Sequence, residues 1–191
     1  MQNDYERRCL KNPIKYNKRD DGSVMITGYA ALFNSLSENL GGFKEIIRPG
    51  AFNDSMENDV RALIDHESGK IIGRLSAGTL RIMQDEMGLK YEVDVPDTSH
   101  GRDLIISLGR EDITGSSFGF MIGMQQWMAE KTEDGLPIRE IVNVSELIDV
   151  GPVTFPAYPD TSVALRSLNE SRQNSIRVKI LKRKLELLSL I

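Results

Sequence analysis

Between residues 89 and 95 the side chains Leu89, Tyr91, Val93 and Val95 alternate with Lys90, Glu92 and Asp94, a period of two that fits a strand with one buried face and fits no helix. Pro96 ends the run. Leu80 and Ile82 supply a preceding arm, and the turn between Asp85 and Gly88 closes a hairpin over residues 79–95. A chain anchored on such a hairpin is strand-rich, and the remaining segments extend that reading. Strands are expected over residues 23–33, after the turn signal Asp20-Asp21-Gly22, and over residues 43–47, which lead into the turn Arg48-Pro49-Gly50 and a short helix. Residues 60–64 form a brief apolar run that delivers Asp65-His66-Glu67 to its end. A helix is expected from Thr98 or Ser99 to Leu108, with Leu104, Ile105 and Leu108 on one face and Gly109 closing it. Residues 115–124 read as a strand, residues 127–146 as a second strand pair around Asp134-Gly135, and residues 147–154 as one more strand.

The 191 residues suit one compact domain with extensions. The polar, charged residues 1–21 are expected to form a flexible N-terminal extension, residues 22–168 the folded domain, and residues 169–191 a basic helical or removable tail. A formal charge of -4 offers no broad basic surface for nucleic acid, and no apolar run is long enough to span a membrane. Cys9 is the single cysteine, so an intrachain disulfide is excluded; it lies among Arg7, Arg8 and Lys11 and reads as incidental. A metal-dependent hydrolase finds no support, because the two histidines stand 34 positions apart and no His-Glu-x-x-His segment is present.

The segment Gly115-Ser116-Ser117-Phe118-Gly119-Phe120 carries the chemistry. Strand alternation puts Ser116 with Phe118 and Phe120, whereas Ser117 shares its face with Gly115 and Gly119, leaving room for a substrate backbone. A serine hydroxyl needs a base, and the choice is between His66 at a strand end and His100 in a polar stretch; His66 is the better held. Asp149, between Ile148 and Val150, is a carboxylate that would be costly to bury unpaired and so becomes the candidate orienting group, with Glu140 and Glu146 as competitors. Pattern alone favours plainer readings: Ser117 as a strand serine beside a glycine bulge, His66 as a hydrogen-bonded core residue, and Asp149 as the buried partner of Arg61 or Arg74.

An ordered series of short motifs changes that balance. Gly28-Tyr29-Ala30, Glu45-Ile46 with Pro49-Gly50-Ala51-Phe52, Asp65-His66 with Ile72-Gly73, Gly78-Thr79-Leu80, Gly101-Arg102-Asp103, Ser117-Phe118-Gly119-Phe120 and Val153-Thr154 to Pro156-Ala157-Tyr158 together resemble the phage prohead, or capsid maturation, protease family. That family is similar to the herpesvirus assemblin proteases. The resemblance implies an α+β, strand-rich fold with an assemblin-like β-barrel core and surrounding helices. It implies a serine endopeptidase without cofactors, with Ser117 as nucleophile, His66 as base and Asp149 as third member. Its partners would be the major capsid protein, cleaved in its scaffolding region, and the protease itself, cleaved so that it can leave; self-association is left open. The setting would be the prohead inside the host cytoplasm. A catalytically inactive capsid-assembly or scaffolding protein with the same fold is the alternative, against which the intact Ser117 and His66 argue.

Overall fold

The computed structural model of the chain describes residues 5–156 and 162–188. Its order is β1 (Tyr5–Leu10), β2 (Lys15–Lys18), β3 (Val24–Leu32), β4 (Lys44–Ile47), a 3-10 turn (Asn53–Ser55), β5 (Arg61–Leu63), β6 (Ile71–Arg74), β7 (Leu80–Gln84), β8 (Gly88–Val95), α1 (Ser99–Gly109), β9 (Gly115–Lys131), β10 (Pro137–Val153) and α2 (Ser162–Leu188). The expected hairpin is β7 and β8, with Leu89, Tyr91 and Val93 buried on one face. The expected helix is α1, whose N-cap Thr98 accepts a hydrogen bond from the Gly101 amide.

Two sheets share the core. The first runs β1-β9-β10-β5-β6, with β4 also pairing β10 in parallel; the second runs β2-β3-β8-β7. Between them lie Phe118 and Phe120 of β9, Ile26 and Ala30 of β3, and Leu89, Tyr91 and Val93 of β8, all essentially removed from water. Each such large side chain contributes about 1.5–3 kcal/mol of burial. The architecture is strand-rich α+β, as expected, but pairing among the described residues gives two open sheets rather than the expected closed barrel. The six-stranded sheet is mixed, because β4 and β5 run parallel to β10 along the edge that β9 leaves open.

Three boundaries differ from the sequence reading. Residues 127–154 are not a strand pair plus another strand; β9 and β10 are 17-residue partners in one long ribbon, joined by the turn near Asp134-Gly135. Irregular steps in their register, such as those between Asn143 and Glu146, break the alternation that would have marked a single strand. The supposed N-terminal extension contributes β1 and β2. Its charged residues misled because the buried positions of β1 are Glu6 and Arg8, which pair inside the protein instead of facing water. The boundary expected at residue 168 falls within α2, where Leu168 is buried against Leu40 and Phe43, whereas Ile176, Ile180, Leu181 and Leu185 further along are exposed. Ala157, Tyr158 and the composition change at Asp160 lie outside the described residues.

Candidate active site

Strand register assembles the site. On β9, Ser117 stands opposite Gly151 of β10 on one side and Cys9 of β1 on the other; two residues on, Gly119 stands opposite Asp149 and Arg7. Side chains two apart on neighbouring strands share a face, so Ser117, Asp149, Tyr5, Arg7 and Cys9 belong to one surface of the sheet. The opposite face takes Ser116, which is fully buried and hydrogen-bonded at 2.8 Å to the Tyr91 hydroxyl. The two adjacent serines therefore occupy unlike environments.

His66 arrives from β5, which pairs with β10 at Asp149 and Val150. Just beyond β5 the chain turns sharply, with Asp65 and His66 both left-handed at φ 51 and 57, a conformation that costs about 1–2 kcal/mol per non-glycine residue. Its amide and carboxylate hold it there: Asp65 N–H donates to the Pro152 carbonyl at 3.0 Å, and the carboxylate accepts from the amide and hydroxyl of Thr154 at 2.6 and 2.8 Å. Sequence reasoning missed this role of Asp65, although the Asp-His pair was in view.

The turn aims the imidazole between the two other groups. His66 Nδ1 lies 2.5 Å from Asp149 Oδ1, and Nε2 lies 2.6 Å from Ser117 Oγ. An ionised carboxylate only accepts, so Nδ1 carries the proton and Nε2 presents a lone pair to the serine. Burial by itself would lower the His66 pKa, but its hydrogen bonds to Asp149 and Cys9 outweigh this and hold the imidazolium above its ordinary value. Asp149 is 3% exposed and receives a second hydrogen bond, from the Tyr5 hydroxyl to Oδ2 at 2.9 Å. Burial, opposed by a hydrogen bond from Arg7, pushes Tyr5 up to about 12, so it stays a donor. Gly119 makes room for this meeting, since a Cβ there would fall 2.6 Å from Asp149 Oδ2 and 2.3 Å from Tyr5 Oη.

The alternatives sort themselves by contact. His100 lies on α1 with Nε2 3.2 Å from the Ile71 carbonyl. Glu140 is engaged by Arg48 and Gln126, and Glu146 is exposed. Arg61 and Arg74, considered as partners of Asp149, both pair with Asp59. Cys9, set aside in the sequence, donates its thiol to Ser117 Oγ at 3.3 Å. No signal in a charged N-terminal stretch could have placed it there. Among the described residues no cluster of three or more His, Cys, Asp or Glu could hold a metal, and no helix is long and apolar enough to cross a membrane.

A hydroxyl, an imidazole and a carboxylate in this order can transfer a proton from Ser117 to His66 while Asp149 stabilises the resulting charge, which is the requirement for acyl transfer from a peptide. Residues 12–174 match a family model described as the caudovirus prohead serine protease. Among solved structures, the bacteriophage T4 capsid assembly protease is similar at 11% identity with a TM-score of 0.44, covering 78% of this chain and 96% of that one. No curated protein matches.

Proposed function

The chain belongs to the caudovirus prohead serine protease family, and from that premise we propose that it is an active serine endopeptidase of capsid maturation with Ser117 as nucleophile, His66 as general base and Asp149 as the group that orients and stabilises the imidazolium. The continuous contact from Asp149 Oδ1 through the two nitrogens of His66 to Ser117 Oγ carries this reading. As Oγ attacks the peptide carbonyl carbon, its proton passes to Nε2; the same proton then goes to the departing amine as the C–N bond breaks. A water molecule, deprotonated by His66, next attacks the acyl ester and returns the serine.

The substrate in this proposal is the capsid protein, cut within its scaffolding region inside the prohead, with the protease cutting itself as well. The kinship with herpesvirus assemblins enters as a shared serine and histidine chemistry and not as a closed barrel. The exposed, basic second half of α2 is assigned to a tail that engages a partner or is removed.

Co-expression with the capsid protein tests the reading. Wild type and Ser116→Ala should yield cleaved products by intact mass, and Ser117→Ala should yield none while remaining folded; processing by Ser117→Ala would overturn it.

A further inference from the structure

Between Ser171 and Leu185 the sequence carries Arg172, Arg177, Lys179, Lys182, Arg183 and Lys184 and no carboxylate, in a chain whose overall charge is -4. This stretch belongs to the second half of α2. The first half is held in place where Leu168 is buried against Leu40 and Phe43. At about 1.5 Å per residue, Leu185 lies about 25 Å further along the helix. It is 67% exposed, and Ile176, Val178, Ile180 and Leu181 before it are all at least half exposed. Scattered exposed leucines are ordinary, but five large apolar side chains within one exposed segment of a helix form a patch of the kind that marks an interaction surface. A helix also draws most of its stability from burying such a face.

The helical period sorts these side chains into stripes. Val178, Leu181 and Leu185, spaced by three and then four, form one; Ile176 and Ile180, spaced by four, form another. Arg177 and Lys184 lie between the two stripes, and Lys182 borders the first on its other side. In heptad terms Val178 and Leu185 take position a, Leu181 takes d, and the flanking e and g positions hold only Arg177, Lys182 and Lys184. A second copy of the helix is a poor partner, because it would set cation against cation at the rim in either orientation, with Arg177 facing Lys182 when parallel. A lipid surface is a poor partner too. Arg177 and Lys184 sit in the middle of the apolar half of the helix, which is the part that an interfacial helix buries deepest.

We propose that the second half of α2 is a docking helix for an acidic partner helix of heptad pattern, with leucine or isoleucine at its a and d positions and glutamate or aspartate at e and g. This role rests on the reading of the segment as a tail that engages a partner, and not on which residue is the nucleophile. Val178, Leu181 and Leu185 enter the holes of the partner's seam, and Arg177, Lys182 and Lys184 meet its carboxylates at the rim. Ile176 and Ile180 extend the apolar contact beyond Arg177 and Lys184. The apolar contact supplies affinity, while the rim charges select the partner and reject a second copy.

The test uses the full chain as Ser117→Ala, so that self-cleavage cannot remove the tail, and a synthetic peptide of four heptads with leucine at a and d and glutamate at e and g. In calorimetric titration this peptide should bind, and the same peptide with lysine at e and g should bind at least ten-fold more weakly. The rim reversal Arg177→Glu/Lys182→Glu/Lys184→Glu should invert that preference by at least ten-fold. All three positions are exposed, so circular dichroism should show a retained fold. Leu181→Ser/Leu185→Ser should weaken the glutamate peptide at least ten-fold. A chain that does not distinguish the two peptides overturns the proposal, as does a preference that survives the rim reversal. Two further outcomes overturn it by giving the face to another occupant: tighter binding to anionic lipid vesicles than to the glutamate peptide, or self-association of the chain that Leu181→Ser/Leu185→Ser abolishes. A chain ending at residue 171 that still enters proheads beside the capsid protein would instead remove the partner-engaging tail on which the proposal rests.

Discussion

Asp65 grips Thr154 with both carboxylate oxygens, one on the amide at 2.6 Å and one on the hydroxyl at 2.8 Å, and so pins the left-handed turn that carries His66 to the chain leaving β10. Asp65→Ala removes both bonds and lets the imidazole drift. A misplacement of about 1 Å is enough to cost on the order of 100-fold in rate. The expected outcome is a fall in kcat of about 10- to 100-fold with little change in KM, measured on a peptide substrate, while Ser117 and Asp149 stay in place.

The raised His66 pKa gives opposite pH trends for activity and stability. The base works when neutral, so activity should fall as pH drops through a value above the ordinary one of about 6.5. The folded-state stabilisation of the imidazolium is fully present below about 6.5 and is lost as pH rises through the raised folded value. Asp149→Asn removes the first group that raises it. The His66 titration followed by NMR should then shift downward, and kcat should drop by about 10²- to 10⁴-fold.

Two glycines near the site should fail in different ways. Alanine at Gly119 would press on the ends of two side chains, Asp149 and Tyr5, which can move aside. Gly119→Ala should therefore stay folded and lose at least about ten-fold in kcat as Asp149 leaves the imidazole. Gly151 has φ +155, and a Cβ there would sit 2.0 Å from the backbone oxygen of Leu63, which cannot yield without distorting β5. Gly151→Ala should lower unfolding free energy by about 3 kcal/mol or more in denaturant titration.

The four-charge cluster beneath β1 makes a separate prediction about stability. Burial alone would raise the Glu45 pKa, but Arg8 and Arg139 hold it below the usual carboxylate range. Its contribution is present above the unfolded value of about 4.3 and is lost only as pH falls through the lower folded value. Glu45→Gln leaves Arg139, which is 0% exposed, short of a counter-charge, at a cost of about 3–5 kcal/mol. Urea unfolding at neutral pH should show that loss, and the difference from wild type should shrink in strong acid.

How much of this was legible in the sequence depended on whether burial follows polarity. The β7 and β8 hairpin and α1 were legible because their apolar side chains mark the buried face directly. Ser117 stood out through the glycine two residues further along its own face, and His66 through the apolar run before it. β1 was not legible, since Arg8 and Glu6 are buried against partners that stand 37 and 133 positions away in the chain, Glu45 for Arg8 and Arg139 for Glu6. The same blindness hid Tyr5 and Cys9 from the site. The long ribbon of β9 and β10 was cut short because the outer part of β9 is largely exposed, that of β10 buries the charged Arg139 and Glu140 beside Ile138 and Ile141, and the register shifts interrupt the period of two.

Between Ser116 and Met121, β9 is flanked by two strands of unequal permanence, the 17-residue β10 inside the sheet and the 6-residue β1 at its edge. In an antiparallel strand successive amides point to opposite neighbours. Deuterium uptake along this one stretch should therefore alternate residue by residue: the amides directed at β1 exchange together whenever that strand lifts, while those between them, directed at β10, wait for the whole protein to open.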